Sequence, residues 1–300
     1  VEIVAFGNGR QLWRLDLSTG RLVTQDVRRQ PFGRMHLVVG TDWVMFPPAD
    51  LDLPTIVVDD AGVVSEASYG AAWQIAATAD GGGIWVMSSN LSDGGDGTIE
   101  RVPISSGESA ELALPGPPSR LDPLGGFVVD APGGSFTVTR DGVTRITDGE
   151  LIAIGRDVAV AEECDAVLEC SVVAIDRGSA DRRPIAVERP LDARFLTSIG
   201  IIGGESVTPG GDLAMVQVVN PSDRSSGQPT IGVLDIATGE VTEVGPAQDI
   251  DQAAWSPDGT LLFYISGGKP VAYEHATGEV HALAPELLAV ESFGIRPVSP

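Results

Sequence analysis

Seven times along this chain an alternating apolar run ends in a short glycine turn and a second alternating run follows. The turn lies at Gly20 in LWRLDLSTGRLVTQDV, Gly62 in TIVVDDAGVVSEA, Gly107 in TIERVPISSGESAELAL and Gly142 in FTVTRDGVTRIT. It returns at Gly239 in IGVLDIATGEVTEV and Gly278 in VAYEHATGEVHAL, while CSVVAIDR and RRPIAVE around Gly178 form a longer copy. Alternation with a period of two belongs to a strand with one buried face, and strand, glycine turn, strand is a hairpin. Recurrence every roughly 40 residues with four strands per unit is the signature of a β-propeller.

The 300 residues then divide into seven units of about 43 residues, each a blade. The expected blades span 1–27 together with 290–298, then 34–67, 71–114, 119–147, 149–188, 198–245 and 249–283. The fold class expected is all-β, a single domain over 1–300 made of four-stranded antiparallel blades. The first blade holds only three N-terminal strands, EIVAFG, QLWRLDL and RLVTQDV. The one strand-like run left over, VESFGIRPV, is expected to join them as the innermost strand, so that both termini close the ring and no sheet edge is left open. A six-bladed ring with a decorated edge is the alternative.

A second repeat supports this division. WSPDGTLLFYI (255–265), VTPGGDLAMVQV (207–218) and ATADGGGIWVM (77–87) share a turn motif, Ser/Thr-x-Asp/Gly-Gly, followed by an apolar strand. Such a tight turn needs a glycine at positive φ. These stretches, with the Asp-x-x-Thr-Gly-Glu hairpins, resemble the Tol-B-type and WD-repeat-like propellers of bacterial envelope proteins. The best copy is residues 255–283. The resemblance implies blade construction and an envelope setting; its motifs specify no activity.

Charge narrows the partners. The net charge of −23, from 42 acids against 19 bases, repels a phosphate backbone, so nucleic acid is not expected as a partner. Lys269 is the only lysine beside the arginines, which fits a GC-rich bacterial genome or an acidic surface adapted to salt. No run of eighteen apolar residues occurs, so no membrane span is expected. The chain begins inside a strand pattern, VEIVAFG, which leaves room for an upstream targeting or anchoring segment. Cys164 and Cys170 flank a short loop between two strand patterns. Their spacing suits a disulfide, which implies an oxidising, extracytoplasmic compartment; two reduced thiols are the alternative.

In a propeller the b–c and d–a connections share one face and the a–b and c–d turns the other, counting strands a to d outward from the channel. Here the long loops are 47–54, 89–97, 163–170 and 220–229 (b–c) with 28–34, 115–120 and 189–197 (d–a). Long loops on a rigid scaffold concentrate binding roles, so this is the expected binding face. Its candidate contact residues are Arg28, Arg29, Arg34, Arg120 and Arg194, mixed with Asp50, Asp52, Asp93, Asp96, Asp165 and Asp223. Three occupants stay open for it: water alone, a protein partner, or a small ligand at the channel mouth.

Chemistry-bearing motifs are sparse. Asp93-Gly-Gly-Asp96-Gly97 has the wrong spacing for an EF-hand calcium loop, and no metal or cofactor is expected. His36 falls in a channel strand, and His275 and His281 flank the last hairpin turn and should face solvent. No nucleophile elbow, zinc-binding His-Glu-x-x-His, phosphate loop or dinucleotide fingerprint occurs, and no catalytic residue is assigned. Trp13, Trp43, Trp73, Trp85 and Trp255 lie in strand patterns, where packing between blades is expected. The chain therefore reads as an extracytoplasmic binding module. A hydrolase or lyase working from the central channel is the rival, recognisable by acids, His and Arg converging there instead of small or apolar side chains.

Overall fold

The computed structural model describes residues 1–7, 10–27, 37–48, 53–69, 75–87, 97–114, 116, 118–167, 169–187, 206–218, 230–246, 253–284, 286–287 and 289–296. Among them there is no helix, and seven antiparallel sheets form a seven-bladed propeller. Blade 1 contains β1 (Glu2–Gly7), β2 (Gln11–Asp16) and β3 (Arg21–Asp26). Blade 2 is β4 (Val38–Val39), β5 (Trp43–Phe46), β6 (Thr55–Asp59) and β7 (Val64–Ala67). Blade 3 is β8 (Ile75–Ala77), β9 (Gly83–Met87), β10 (Gly97–Pro103) and β11 (Ala110–Leu114). Blade 4 is β12 (Pro118–Leu121), β13 (Phe127–Ala131), β14 (Gly134–Thr139) and β15 (Gly142–Thr147). Blade 5 is β16 (Glu150–Ile154), β17 (Val158–Cys164), β18 (Cys170–Asp176) and β19 (Arg182–Ile185).

Blade 6 shows β20 (Leu213–Val218), β21 (Thr230–Asp235) and β22 (Val241–Pro246). Most of the run expected as its innermost strand lies outside the described residues. Blade 7 is β23 (Ala254–Trp255), β24 (Leu261–Ser266), β25 (Lys269–Glu274) and β26 (Glu279–Ala282). The last strand, β27 (Val290–Arg296), returns to blade 1 as its fourth strand. It pairs antiparallel with β1, Ile3 opposite Ile295 and Ala5 opposite Phe293. Both termini therefore close the ring in one sheet.

The sequence pattern explains how the ring holds together. Successive side chains of a strand point to opposite faces, and here each face of a blade packs on a different neighbour. Val4 and Phe6 join Val44, Phe46, Ile56 and Val58 of blade 2, whereas Ile3 and Ala5 join Phe263, Ile265 and Ala272 of blade 7. Trp43 and Met45 turn the other way, to Ile75 and Ile84 of blade 3. Each pair of neighbouring blades encloses one such apolar cluster, seven in all. Buried on both faces, a second strand such as β5 (WVMF) reads as a continuous apolar run; the outer β3 (RLVTQD), exposed or half-exposed, does not. Burying each large apolar side chain contributes roughly 1.5–3 kcal/mol, so the seams are the main source of stability.

The repeated a–b turns are built as expected. Gly81, Gly211 and Gly259 take φ of 66°, 72° and 73°, which a side chain bearing Cβ adopts only with strain. The Thr78, Thr208 and Ser256 hydroxyls donate to Asp80, Asp212 and Asp258 at 2.5 Å and accept the N–H of the following strand. The c–d turns of blades 1, 2, 5 and 6 open on an aspartate, Asp16, Asp59, Asp176 and Asp235, whose carboxylate accepts N–H groups of the turn. Hydrogen bonds from the Ser18 and Thr19 hydroxyls, with the Ser18 N–H, hold the Asp16 carboxyl down at about 2.

Candidate binding face and central channel

The best-described part of the b–c/d–a face lies over blades 4 and 5. Cys164 and Cys170 stand directly opposite each other across β17 and β18. Their Cα atoms are 3.9 Å apart and the thiols are joined in a disulfide. Inside the loop, Asp165 Oδ1 accepts the N–H groups of Val167 (2.9 Å) and Glu169 (3.0 Å), and Val167 is 74% exposed at the tip. The β17–β18 ladder already sets the geometry of this hairpin, so the cross-link closes only a small ring. A C164S/C170S variant should lose no more than about 2–2.5 kcal/mol of stability. Its urea unfolding should remain cooperative, with no change in the sheet signature by circular dichroism.

Beside the hairpin runs a mixed-charge ridge. Arg145 pairs with Asp148 at 2.6 Å, donates to the Gly133 carbonyl and lies over the Phe136 ring. The Thr147 hydroxyl and Arg182 Nε both donate to Glu163 Oε1, at 2.7 and 3.2 Å, tying blade 4 to blade 5. Arg28, Arg29, Arg34 and Arg194 lie outside the described residues, as do His36, Trp73, Asp93, Asp96 and most of the loops 47–54, 89–97, 189–197 and 220–229. Arg120 belongs to β12, an innermost strand, and is 4% exposed. Its guanidinium crosses the seam to donate to the carbonyls of Leu151 (3.0 Å) and Ile152 (3.2 Å) beside the register shift in β16. Burial pulls its pKa down, opposed by Asp130 and Glu150.

The described innermost strands carry few charges: Arg120, Glu150, Glu291 and Arg296. The remainder are chiefly small or apolar, as in Val38–Val39, Ile75–Ala77 and Ala254–Trp255. Arg296 is occupied by Glu2 and Asp60, each at 2.7 Å. Neighbouring inner segments are laced together: Ser292 Oγ accepts the Leu37 N–H, Ser206 Oγ accepts that of Ile154, and Trp255 Nε1 donates to the Ser206 carbonyl. Trp13, Trp43, Trp85 and Trp255 are all buried between blades. His281 is half-exposed near Glu279, but His275 is a correction: it is partly buried, its ring set against Tyr273.

Sequence reading missed the arginines that cross the outer seams. Arg14 of blade 1 reaches the Asp59 carbonyl and Asp60 of blade 2. Arg177 of blade 5 grips Asp122 of blade 4 through two hydrogen bonds of 2.7 and 2.9 Å. Arg183 of blade 5 donates to the Ile236 carbonyl of blade 6. The blade 3–blade 4 seam differs: it opens into a cavity of about 350 Å³ on the a–b/c–d face, lined by Trp85, Arg101, Glu108, Leu124 and Asp141 among others. A c–d aspartate can be seen in the sequence, but its long-range partner cannot.

No protein-family model matches the chain, and no curated protein matches its sequence. Solved structures do match in fold. The chain is similar to TolB from Acinetobacter baumannii at 14% identity and a TM-score of 0.50, covering 97% of this chain and 80% of that one. A candidate 6-phosphogluconolactonase from Bacteroides fragilis aligns at 13% identity and a TM-score of 0.54, over 98% of this chain and 97% of that one. A puromycin-hydrolyzing peptidase from Mycobacterium tuberculosis aligns at 15% and 0.54, over 95% of this chain and 53% of that one. The Tol-B-type resemblance of the blade motifs is thus matched in three dimensions, and the likeness is one of fold alone.

Proposed function

We propose that this propeller is an extracytoplasmic interaction module that recognises a protein partner or a small ligand, without covalent chemistry, through its b–c/d–a face. The observation that carries the reading is the character of the inner strands. A channel enzyme needs acids, bases and cations converging at one depth, whereas the described inner strands are mainly small and apolar and their two arginines are tied to neighbouring blades. The disulfide favours an oxidising compartment. Propellers host both binders and enzymes, so fold alone does not choose between them.

Arg28, Arg29, Arg34 and Arg194 are the proposed contact residues, with Arg120 acting from behind by fixing the blade 4–blade 5 seam. Truncating a paired interfacial charge costs about 2–5 kcal/mol. Alanine at Arg28, Arg29 or Arg194 should therefore strip partners from the protein in pull-downs from extracellular extract, with the thermal midpoint unchanged. Undiminished capture by all three variants would put recognition elsewhere on the molecule.

A further inference from the structure

We infer that the cleft between blades 3 and 4, on the a–b/c–d face, receives an arginine side chain presented by another polypeptide. The inference does not depend on the binding face proposed above, which lies at the opposite end of the blades. Its first support is what fills comparable seams. Arg14, Arg177 and Arg183 each span from one blade to the next and end on turn carboxylates or carbonyls. In the blade 3–blade 4 seam Arg140 of the blade 4 c–d turn reaches Glu108 of blade 3 only at 3.9 Å in an exposed pair, and the arginine of strand β10 does not cross. Arg101 folds back onto its own blade, to Asp80 at 2.8 Å and to the carbonyls of Glu108 and Ser106.

What remains is an opening of about 350 Å³, within the size range of small-ligand sites. The reason for the opening is local. Arg101 pairs across the sheet with Trp85 on one side and Ala110 on the other, so the outer strand offers only a methyl group beside the guanidinium. Gly125 and Gly126 leave the blade 4 wall equally bare, and Leu124, 60% exposed, forms an apolar rim.

The lining carries three carboxylates, Asp80, Glu108 and Asp141, against the guanidiniums of Arg101 and Arg140, an excess of one negative charge. Asp80 is neutralised by Arg101, and Arg140 approaches Glu108 only at 3.9 Å in an exposed pair. Asp141 has no ion-pair partner among the described residues. The rim thus keeps surplus negative charge on a protein of net charge −23, which attracts cations. A guanidinium fits better than an ammonium: its plane lies well against an indole, and its fork can meet a carboxylate and a carbonyl together. The aliphatic stem would rest on Leu124 and the Trp85 ring.

The probe is the blocked tripeptide acetyl-Gly-Arg-Gly-amide, titrated while the Trp85 indole N–H resonance, assigned with W85F, is followed by NMR. A saturable shift with a Kd on the order of a millimolar is expected for one such contact. The double variant E108Q/D141N, exposed and structurally safe, should weaken binding about fivefold. A110L, which fills the cleft, should abolish it. No saturable shift, equal binding of the citrulline or lysine peptide, or unchanged affinity in E108Q/D141N would each overturn the inference.

Discussion

Deleting residues 290–300 should abolish cooperative folding of this protein, the largest effect expected from any change considered. The lost strand β27 is the innermost member of blade 1 and pairs with β1 from Glu2 opposite Arg296 to Gly7 opposite Val290. With it go the buried Val290 and Phe293 of the blade 7–blade 1 cluster, the Ser292 hydroxyl that accepts the Leu37 N–H, and the Arg296 clamp on Glu2 and Asp60. Two buried apolar side chains at about 1.5–3 kcal/mol each, plus ladder bonds at about 0.5–1.5 each, sum to roughly 5–10 kcal/mol. That is as large as the whole stability of a typical domain. The exposed inner edge of β1 would also invite association between chains. Soluble yield, size-exclusion behaviour and urea unfolding of the truncated chain measure this. A monomer unfolding at the full-length midpoint would show that ring closure contributes little. The point variant F293A leaves the ladder in place and should cost about 3–5 kcal/mol, which separates loss of packing from loss of the strand.

Much of this architecture was legible because a propeller writes its period into the chain. The Gly20, Gly62, Gly107, Gly142, Gly239 and Gly278 hairpins all fall between paired c and d strands, because period-two alternation and a turn glycine are local signals. The closing strand was legible by elimination: VESFGIRPV was the one strand pattern left, and blade 1 was one strand short. The disulfide followed from short spacing between two strands. Side-chain destinations across a seam were not legible. Arg177 and Asp122 are 55 residues apart, and nothing local to either distinguishes them from Arg10 and Asp26, an exposed pair at 4.0 Å. Arg120 shows the same limit: read beside a proline-rich loop it belongs to the surface, yet it sits on an inner strand under 10% exposed, bound to another blade's carbonyls. The candidate loop face was read from length alone, which says where chain is spare and not what it touches.

The Asp122–Arg177 pair should be the most sensitive side-chain contact on the molecule. Both charges are out of water, the carboxylate at 0% and the guanidinium at 8% side-chain exposure. Asp122 also accepts the Leu124 N–H and the Thr137 hydroxyl, while Arg177 donates to the Gly155 carbonyl. One carboxylate therefore organises the blade 4 a–b turn, strand β14 and the blade 5 c–d turn together. D122A strands a buried guanidinium, and R177A strands a buried carboxylate; each should cost about 3–5 kcal/mol. In the double variant D122A/R177A neither charge remains unpaired, so its loss should fall short of the sum of the singles by about 1–3 kcal/mol. R177K should lie between wild type and R177A, because an ammonium offers no planar fork for the two carboxylate oxygens. Removing the exposed pair with R10A should change stability by less than about 0.5 kcal/mol, which calibrates the comparison. Urea midpoints for the five chains decide the matter. If D122A shifts no further than R10A, or if the two single losses simply add in the double variant, the blades are held by their apolar clusters alone and the bridge contributes nothing of its own.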